Sequence, residues 1–375
     1  MIIGILKERA PERRVALTPE TAKALIKLKI EVIMESGAGE EACLFDPEFQ
    51  QAGVRIVTRN EALALSDCVL TVFGPLPGEI DLWGDRKVLI GHFNIVGNVT
   101  LLDKLLTHKI TSFSLDLLPR TTIAQSMDVL SSMATVTGYL AVLDAALHLP
   151  RFFPMFMTAS GTIKPAKVLI LGAGVAGLQA LATARRLGAV VEVFDVRSAV
   201  KEEVHSLGGR FIEVPGAVED KSAGGYAVEQ QEDYLRKQGE LIHNHAVKSD
   251  VVICTAQIPG KKAPVLLKTE TVEAMARGSV IVDLAASTGG NCELTVHNSI
   301  ITHLEKVIIG KVDYPSWMSM DASRMYSNNL LNFTRLLINP EGNLQLDWND
   351  EIIKNTCLTH DGKIVNEKMI AAFKK

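Results

Sequence analysis

The chain has 375 residues, 47% hydrophobic, 22% charged and 5% aromatic, which supplies a large core, exceeds the usual single domain, and excludes a disordered or fibrous protein. Lys and Arg number 39 against 43 Asp and Glu, a net charge of −4 with no long run of like charge, so electrostatic capture of nucleic acid is excluded. Five cysteines, Cys43, Cys68, Cys254, Cys292 and Cys357, lie far apart without a CxxC pair, so neither a disulfide framework nor a zinc site is expected, and a reducing cytosol is the expected setting.

The N-terminus, MIIGILKERAPERR, meets charged residues too early for a signal peptide. No stretch approaches the roughly 20 consecutive apolar residues of a membrane span, so membrane association is expected only through a partner. Short apolar runs then alternate with helical patterns: IIGIL (2–6), EVIME (31–35), VRIV (54–57), CVLTVF (68–73), KVLIGHF (87–93) and ITSFSL (110–115) read as strands of a parallel sheet covered by helices. Thr18-Pro19-Glu20 and Asp46-Pro47-Glu48 read as helix starts, each an N-cap followed by proline. From Ala124 to His148 the pattern predicts one helix of about 25 residues, a candidate bridge between domains.

After the turn-rich segment RFFPMFMTASGTIKPA, a second alternation starts at KVLILGAG, with strands expected at 190–195, 210–214, 250–256, 279–285 and 306–310. This predicts a second doubly wound unit. The segment EVPGAVEDKSAGGYA (213–227) interrupts it as a candidate flap. A helix over 322–338 leads away, and short strands around Asp361-Gly362 are expected to return to the first domain. The expected division is 1–137 with 317–375, and 138–316: two Rossmann-like parallel-sheet domains of the α/β class, joined by long helices.

The strongest local signal is KVLILGAGVAGLQALATARRLGAVVEVFD (167–195). It places Gly172-x-Gly174-x-x-Gly177 after a strand and before a helix, and Asp195 at the end of the next strand. Gly172 permits a tight turn, Gly174 lets backbone approach a pyrophosphate, and Gly177 lets helix pack on strand. The helix N-terminus offers N–H groups to the anion, and Asp195 would accept the adenosine ribose hydroxyls. A carboxylate there favours NAD(H) over NADP(H), an inference that Arg197 weakens, since an arginine can accommodate a 2′-phosphate. The alternative is that the glycines serve only turns and packing.

A second cluster, Arg120, Gln125, Asp128, Ser131 and Ser132, opens the long helix. Gln125, Asp128 and Ser132 share a helical face by spacing and would front an interdomain cleft; an ordinary solvated face explains them equally well. His243-x-His245 points to two faces, which argues against a metal, and no hydrolase signature occurs. Asp283, at a strand end, suits a site or a loop brace.

The segments PRTTIAQSMDVLSS (119–132), GTIKPAKVLILGAGVAGLQA (161–180), FDVRSAVKEEVHSLGGRFIEV (194–214), IPGKKAP (258–264), VDLAASTGGNCELT (282–295) and Ser323-xx-Tyr326-xx-Asn329-Leu330 closely resemble domain I, the NAD(H)-binding component of the proton-translocating nicotinamide nucleotide transhydrogenases. The resemblance covers nearly the whole chain and implies a separate soluble subunit of a Re/Si-specific enzyme, a homodimer with two domains around a cleft. It places Arg120, Gln125, Asp128 and Ser131 at the nicotinamide end, preferring Ser131 to the Ser132 that spacing favours. It places Asp195, Val196 and Arg197 at the adenosine end, Gly172, Gly174, Val175 and Gly177 at the pyrophosphate, and Gln257 at a further nucleotide contact. Gly224-Gly225-Tyr226 would tip a mobile loop. NADP(H) would sit on a partner domain, and a membrane-spanning partner would couple hydride transfer to proton translocation, which implies a cytoplasmic chain peripheral at the inner membrane. Two positions depart from the pattern: Ile123 replaces a usual arginine and Gln257 a usual leucine.

The related alanine dehydrogenases share the ERRVALTP entry, Glu12 to Pro19. They need a lysine and a histidine where this chain offers Thr71 and Asn94, and without a base an amine oxidation lacks its proton acceptor. His92 lies two residues from Asn94, on the same strand face but not at the same place. An amino-acid dehydrogenase and a noncatalytic NAD-sensing module remain the alternatives.

Overall fold

The computed structural model describes residues 1–95, 98–214, 232–258 and 261–373. It resolves into two compact units, Met1–Met133 with Pro315–Lys375, and Ala134–Tyr314.

The first unit alternates β1 (Ile2–Ile5), α1 (Pro19–Ile26), β2 (Glu31–Glu35), α2 (Asp46–Gln51), β3 (Arg55–Val57), α3 (Arg59–Leu65), β4 (Cys68–Phe73), α4 (Pro77–Trp83), β5 (Val88–His92), α5 (Val99–Thr107) and β6 (Thr111–Ser114). The six strands are parallel in the order β6-β5-β4-β1-β2-β3. Both faces are covered, which is why the strands read as nearly continuous apolar runs: Cys68, Leu70 and Val72 enter one core and Val69 the other. Thr18 caps α1 as expected, its hydroxyl accepting the Thr21 N–H. The second start shifts by one residue: Phe45 precedes α2, and Glu48 accepts its N–H at 2.7 Å. The Asp46 carboxylate is drawn away to Ser36 Oγ and the Gly37 N–H at 2.7 and 2.9 Å.

The predicted 25-residue helix is broken. Residues Ile123–Met127 form a 3₁₀ turn, Asp128 is extended at ψ 93°, and α6 (Val129–His148) has 20 residues. Asp128 itself makes the break, because its carboxylate accepts the Ser131 N–H at 2.9 Å and the Ser131 hydroxyl at 2.6 Å; an aspartate that caps the following turn cannot also continue a helix. By length and composition α6 meets the minimum for a membrane span, which the run of apolar letters does not suggest. Its Ala141, Val142 and Ala145 are buried in the second unit's core. Its Asp144 holds Lys311 Nζ and the Tyr314 hydroxyl, each at 2.9 Å.

The turn-rich segment folds into an exposed hairpin, β7 (Phe156–Thr158) with β8 (Gly161–Ile163). There follow β9 (Lys167–Leu171), α7 (Val175–Arg186), β10 (Val190–Phe194), α8 (Lys201–Ser206), β11 (Arg210–Ile212), α9 (Glu232–Ala246), β12 (Val251–Cys254), α10 (Thr269–Ala274), β13 (Val280–Asp283), β14 (Ile300–His303) and β15 (Lys306–Ile309). Their sheet runs β11-β10-β9-β12-β13-β15-β14, parallel except for the edge strand β14, which the sequence pattern does not announce. Alternate residues enter opposite cores: Val168 and Ile170 one, Leu169 and Leu171 the other. The strand order reverses between β9 and β12, the switch point at which open α/β sheets take ligands.

The chain returns through α11 (Tyr314–Trp317), α12 (Ser319–Leu336), α13 (Glu351–Thr356), β16 (Cys357–His360), β17 (Lys363–Ile364) and α14 (Glu367–Phe373). Strand β16 pairs antiparallel with β6 and β17 with β16, around a turn in which Asp361 and Gly362 take φ of 44° and 76°.

Candidate functional site

In the second unit the loop after β9 lies at the switch point. Gly172 has φ +110°, and a Cβ there would come within 2.4 Å of Thr255 Oγ1. A Cβ on Gly177 would sit 1.9 Å from the Gly172 carbonyl oxygen, so α7 can approach β9 this closely only without a side chain. At Gly174, by contrast, an added Cβ meets nothing within 4 Å. Helix α7 starts at Gly174 without a side-chain cap, which leaves its first N–H groups facing the loop. The letters alone do not show how this helix is seated: a Cβ on Gly138 of α6 would fall 2.1 Å from the Ala176 carbonyl oxygen.

Asp195 follows β10 and is buried. Its Oδ2 accepts the Ala173 N–H at 2.7 Å, which ties the glycine loop to the end of the neighbouring strand. Arg197 closes on the same carboxylate, with Nε 2.8 Å from Oδ1 and Nη2 2.7 Å from Oδ2. This pairing holds the guanidinium pKa above its ordinary value, against the opposing effect of burial. Val196 packs partly against one core, and Val175 is exposed. Gln257 Nε2 donates to the Leu284 carbonyl at 3.2 Å. The open Gly174, the uncapped helix start and the terminal acid fit a dinucleotide. Gly224, Gly225 and Tyr226 lie outside the described residues.

In the first unit, Arg120, Gln125, Asp128 and Ser131 line one concavity of about 300 Å³, together with Pro119, Thr121, Thr122 and Ala124. Ser131, not Ser132, is the serine there. The common helical face expected for Gln125, Asp128 and Ser132 does not form, because the 3₁₀ turn and the extended Asp128 reset the register. Ile123 projects from the turn, exposed.

What steadies this loop comes from α12. Ser323, Tyr326 and Asn329 stand on one face at i, i+3 and i+6 spacing: Ser323 Oγ accepts the Val15 N–H at 2.9 Å, the Tyr326 hydroxyl lies 3.0 and 3.1 Å from the Thr71 and Val72 carbonyls, and Asn329 Nδ2 donates to the Ser126 carbonyl at 2.9 Å. Asn332 Nδ2 reaches the same carbonyl at 3.2 Å.

A third group, at the unit's own switch point between β1 and β4, is one that the sequence pattern does not single out. Glu8 accepts the Val72 N–H at 2.6 Å, the Thr71 hydroxyl at 2.8 Å and the Phe73 N–H at 3.3 Å. Burial pushes its pKa up from 4.5 to about 7, aided by the charge of Glu12 and opposed by those hydrogen bonds. Arg14 is spent on Glu12, Nε at 2.7 Å and Nη2 at 2.7 Å. Its guanidinium lies over the Phe73 and Tyr326 rings. His92 is half-buried, its pKa lowered chiefly by loss of solvent, and Asn94 is exposed with φ 44°.

Asp283 braces a loop. It is fully buried, and its two oxygens accept from the Ala285, Asn291 and Cys292 N–H groups and the Thr295 hydroxyl at 2.6–3.0 Å. His243 bonds Thr271 Oγ1 and His245 bonds Glu192. Among the described residues no group of three or more His, Cys, Asp or Glu is placed to hold a metal ion.

Residues 4–137 match the family model described as alanine dehydrogenase/PNT, N-terminal domain, and residues 141–367 the model described as alanine dehydrogenase/PNT, C-terminal domain. An NAD(P) transhydrogenase alpha-subunit chain of Rhodospirillum rubrum is 45% identical over 376 residues, covering 98% of each chain. A transhydrogenase structure from Sinorhizobium meliloti matches with a TM-score of 0.89 and 40% identity, over 97% of this chain and all of that one. The alanine dehydrogenase of Mycolicibacterium smegmatis is more distant, 27% identical over 98% of this chain and 95% of its own length.

Proposed function

The chain belongs to the alanine dehydrogenase/PNT family, and we propose that it is the NAD(H)-binding subunit of a proton-translocating NAD(P)⁺ transhydrogenase. In this reading hydride passes directly between the nicotinamide held here and one held by an NADP(H)-binding partner. The subunit is a homodimer, cytoplasmic and peripheral at the inner membrane through its partners. Gly172, Gly174, Val175 and Gly177 hold the pyrophosphate, and Asp195, Val196 and Arg197 the adenosine end. Gln257 and the Gly225-Tyr226 segment add contacts. Arg120, Gln125, Asp128 and Ser131 orient the nicotinamide.

The observation that carries the reading is the makeup of the first-unit concavity: an amide, a guanidinium, hydroxyls and a capping carboxylate, with no histidine among the described residues that line it. Bound NADH supplies the hydride, and a ring-to-ring transfer exchanges no proton with the protein. What it needs from the chain is alignment, with reacting carbons about 3–3.5 Å apart. Gln125, with both a donor and an acceptor, is suited to grip a carboxamide, and Asp128, fixed by Ser131, sets the turn that presents it. The positions where the amino-acid dehydrogenases need a lysine and a histidine hold Thr71, bonded to Glu8, and the exposed Asn94, and neither side chain can take a proton from an amine.

Isotopic labelling tests the directness of the transfer. NADH deuterated at nicotinamide C4, incubated with the chain, its NADP(H)-binding partner and NADP⁺ in ordinary water, should yield NADPH carrying the label. Label lost to solvent would refute direct transfer.

A further inference from the structure

Two side chains of one helix converge on the Ser126 carbonyl. In an uninterrupted helix this oxygen would accept the Leu130 N–H, but the extended Asp128 interrupts that ladder. Asn329 Nδ2 at 2.9 Å and Asn332 Nδ2 at 3.2 Å bond it instead, one donor for each lone pair. A carbonyl only accepts, so the bond fixes the Asn329 amide with its nitrogen toward Ser126 and its Oδ1 turned away. That Oδ1 is buried and has no hydrogen-bond partner among the described residues, on a residue only 6% exposed. An apolar side chain of the same shape would avoid the penalty of an unpaired buried oxygen, so the amide is there for its donor.

We propose that Asn329 is a positioning residue for hydride transfer: its amide aims the Ser126 carbonyl and through it sets where the adjoining Gln125 stands in the first-unit concavity. This rests on the reading of that concavity as the nicotinamide site. Ser126 is exposed, and water satisfies an exposed carbonyl nearly as well as a side chain does. The two amides therefore add direction more than stability. Asp128 breaks the helix, and α12 decides where the released turn points.

The turn's other anchors do not supply that direction. Ala124 and Met127, three residues apart and so on one face of a 3₁₀ turn, are buried in the unit's core, and apolar contact is non-directional. Asn329 can aim because its own helix is pinned. On the same face of α12, Ser323 Oγ accepts the Val15 N–H and the Tyr326 hydroxyl donates to the carbonyls at the end of β4. The donor that reaches Ser126 thus stands on a post fixed at two earlier points.

Asn329→Leu removes both the donor and the unpaired oxygen while keeping the branched shape. With the full chain, its NADP(H)-binding partner domain, NADH and NADP⁺, single-turnover hydride transfer by this variant should slow by about tenfold or more. Its NADH affinity by calorimetry should change little, and its urea midpoint, read from the first unit's tryptophans, should not fall. Because Asn329 acts through Gln125, adding Asn329→Leu to Gln125→Asn should slow transfer no further than Gln125→Asn alone. Parental transfer by Asn329→Leu would overturn the proposal whatever its midpoint, by leaving the amide a packing role. Losses that multiply in full in the double variant, or a loss of NADH affinity as large as the loss of rate, would overturn it too. Should Asn329→Leu fail to fold, Asn332→Ala removes the second donor from a less buried position and should slow transfer by about two- to tenfold, the span of one neutral hydrogen bond; a parental rate there overturns the proposal. No transfer by the parent itself would instead reject the nicotinamide reading.

Discussion

Replacing Glu8 by Gln tests the buried carboxyl at the first unit's switch point. In the folded chain its pKa stands near 7, raised by burial from 4.5. Between those two values the native state holds a proton that the unfolded chain has released, so stability falls as pH rises through this window. The contribution is fully present below pH 4.5 and lost above about 7. One pKa unit is worth about 1.4 kcal/mol, so the group removes on the order of 3 kcal/mol across the window. Glutamine keeps an oxygen for the Val72 N–H and the Thr71 hydroxyl but carries no proton to release. All three tryptophans, Trp83, Trp317 and Trp348, lie in the first unit, so urea unfolding followed by their fluorescence reports the unit that contains Glu8. The difference in stability, variant minus parent, should rise with pH from 4.5 to 7.5 by about 3 kcal/mol. Titrating groups that do not interact with Glu8 cancel in that difference, and Glu12, whose charge acts on Glu8, is the neighbouring carboxyl whose own titration shifts with it. Parallel curves for the two proteins would refute the burial argument, and a difference that falls with pH would reverse its sign.

Three further substitutions probe the proposed nucleotide site. Gln125→Asn shortens the side chain by one methylene and should cut hydride transfer in single turnover by tenfold or more while NADH affinity changes little; equal losses in both would deny an orienting role. Asp195→Ala should narrow the ratio of NADH to NADPH affinity, and an unchanged ratio would contradict the ribose assignment. Gly138→Ala drives a Cβ against backbone at Ala176, so it should cost about 1–3 kcal/mol in thermal unfolding and weaken NADH binding by displacing the start of α7. A stable variant with parental affinity would show that α6 and α7 are not in register as described.

The sheets were legible in the sequence because a strand covered on both faces must be apolar nearly throughout, as CVLTVF and KVLIL are. The glycine loop was legible because Gly172 and Gly177 answer to backbone sterics within ten residues of each other. What could not be read are the choices a polar side chain makes among neighbours. Asp128 is by its letter equally able to continue a helix, and only its capture of Ser131 breaks the run. Asp195 pairs with a residue two positions on, in a loop whose course no periodicity describes. Distant partners were hidden too: Ser323, Tyr326 and Asn329 share a helical spacing visible in the letters, but Val15, Thr71 and Ser126, which they hold, lie hundreds of residues away. The burial of Glu8 likewise follows from the pairing of β1 with β4 and from nothing adjacent to it in the chain.

If this chain presents a nicotinamide to a second one on a partner, neither protein alone can complete the reaction. The most direct measurement mixes the purified chain with its NADP(H)-binding partner domain, NADH and an NADP⁺ analogue whose reduced form absorbs at a shifted wavelength. The account predicts analogue reduction that requires both proteins. No reduction, with NADH bound and the partner active alongside another NAD(H)-binding subunit, would contradict it.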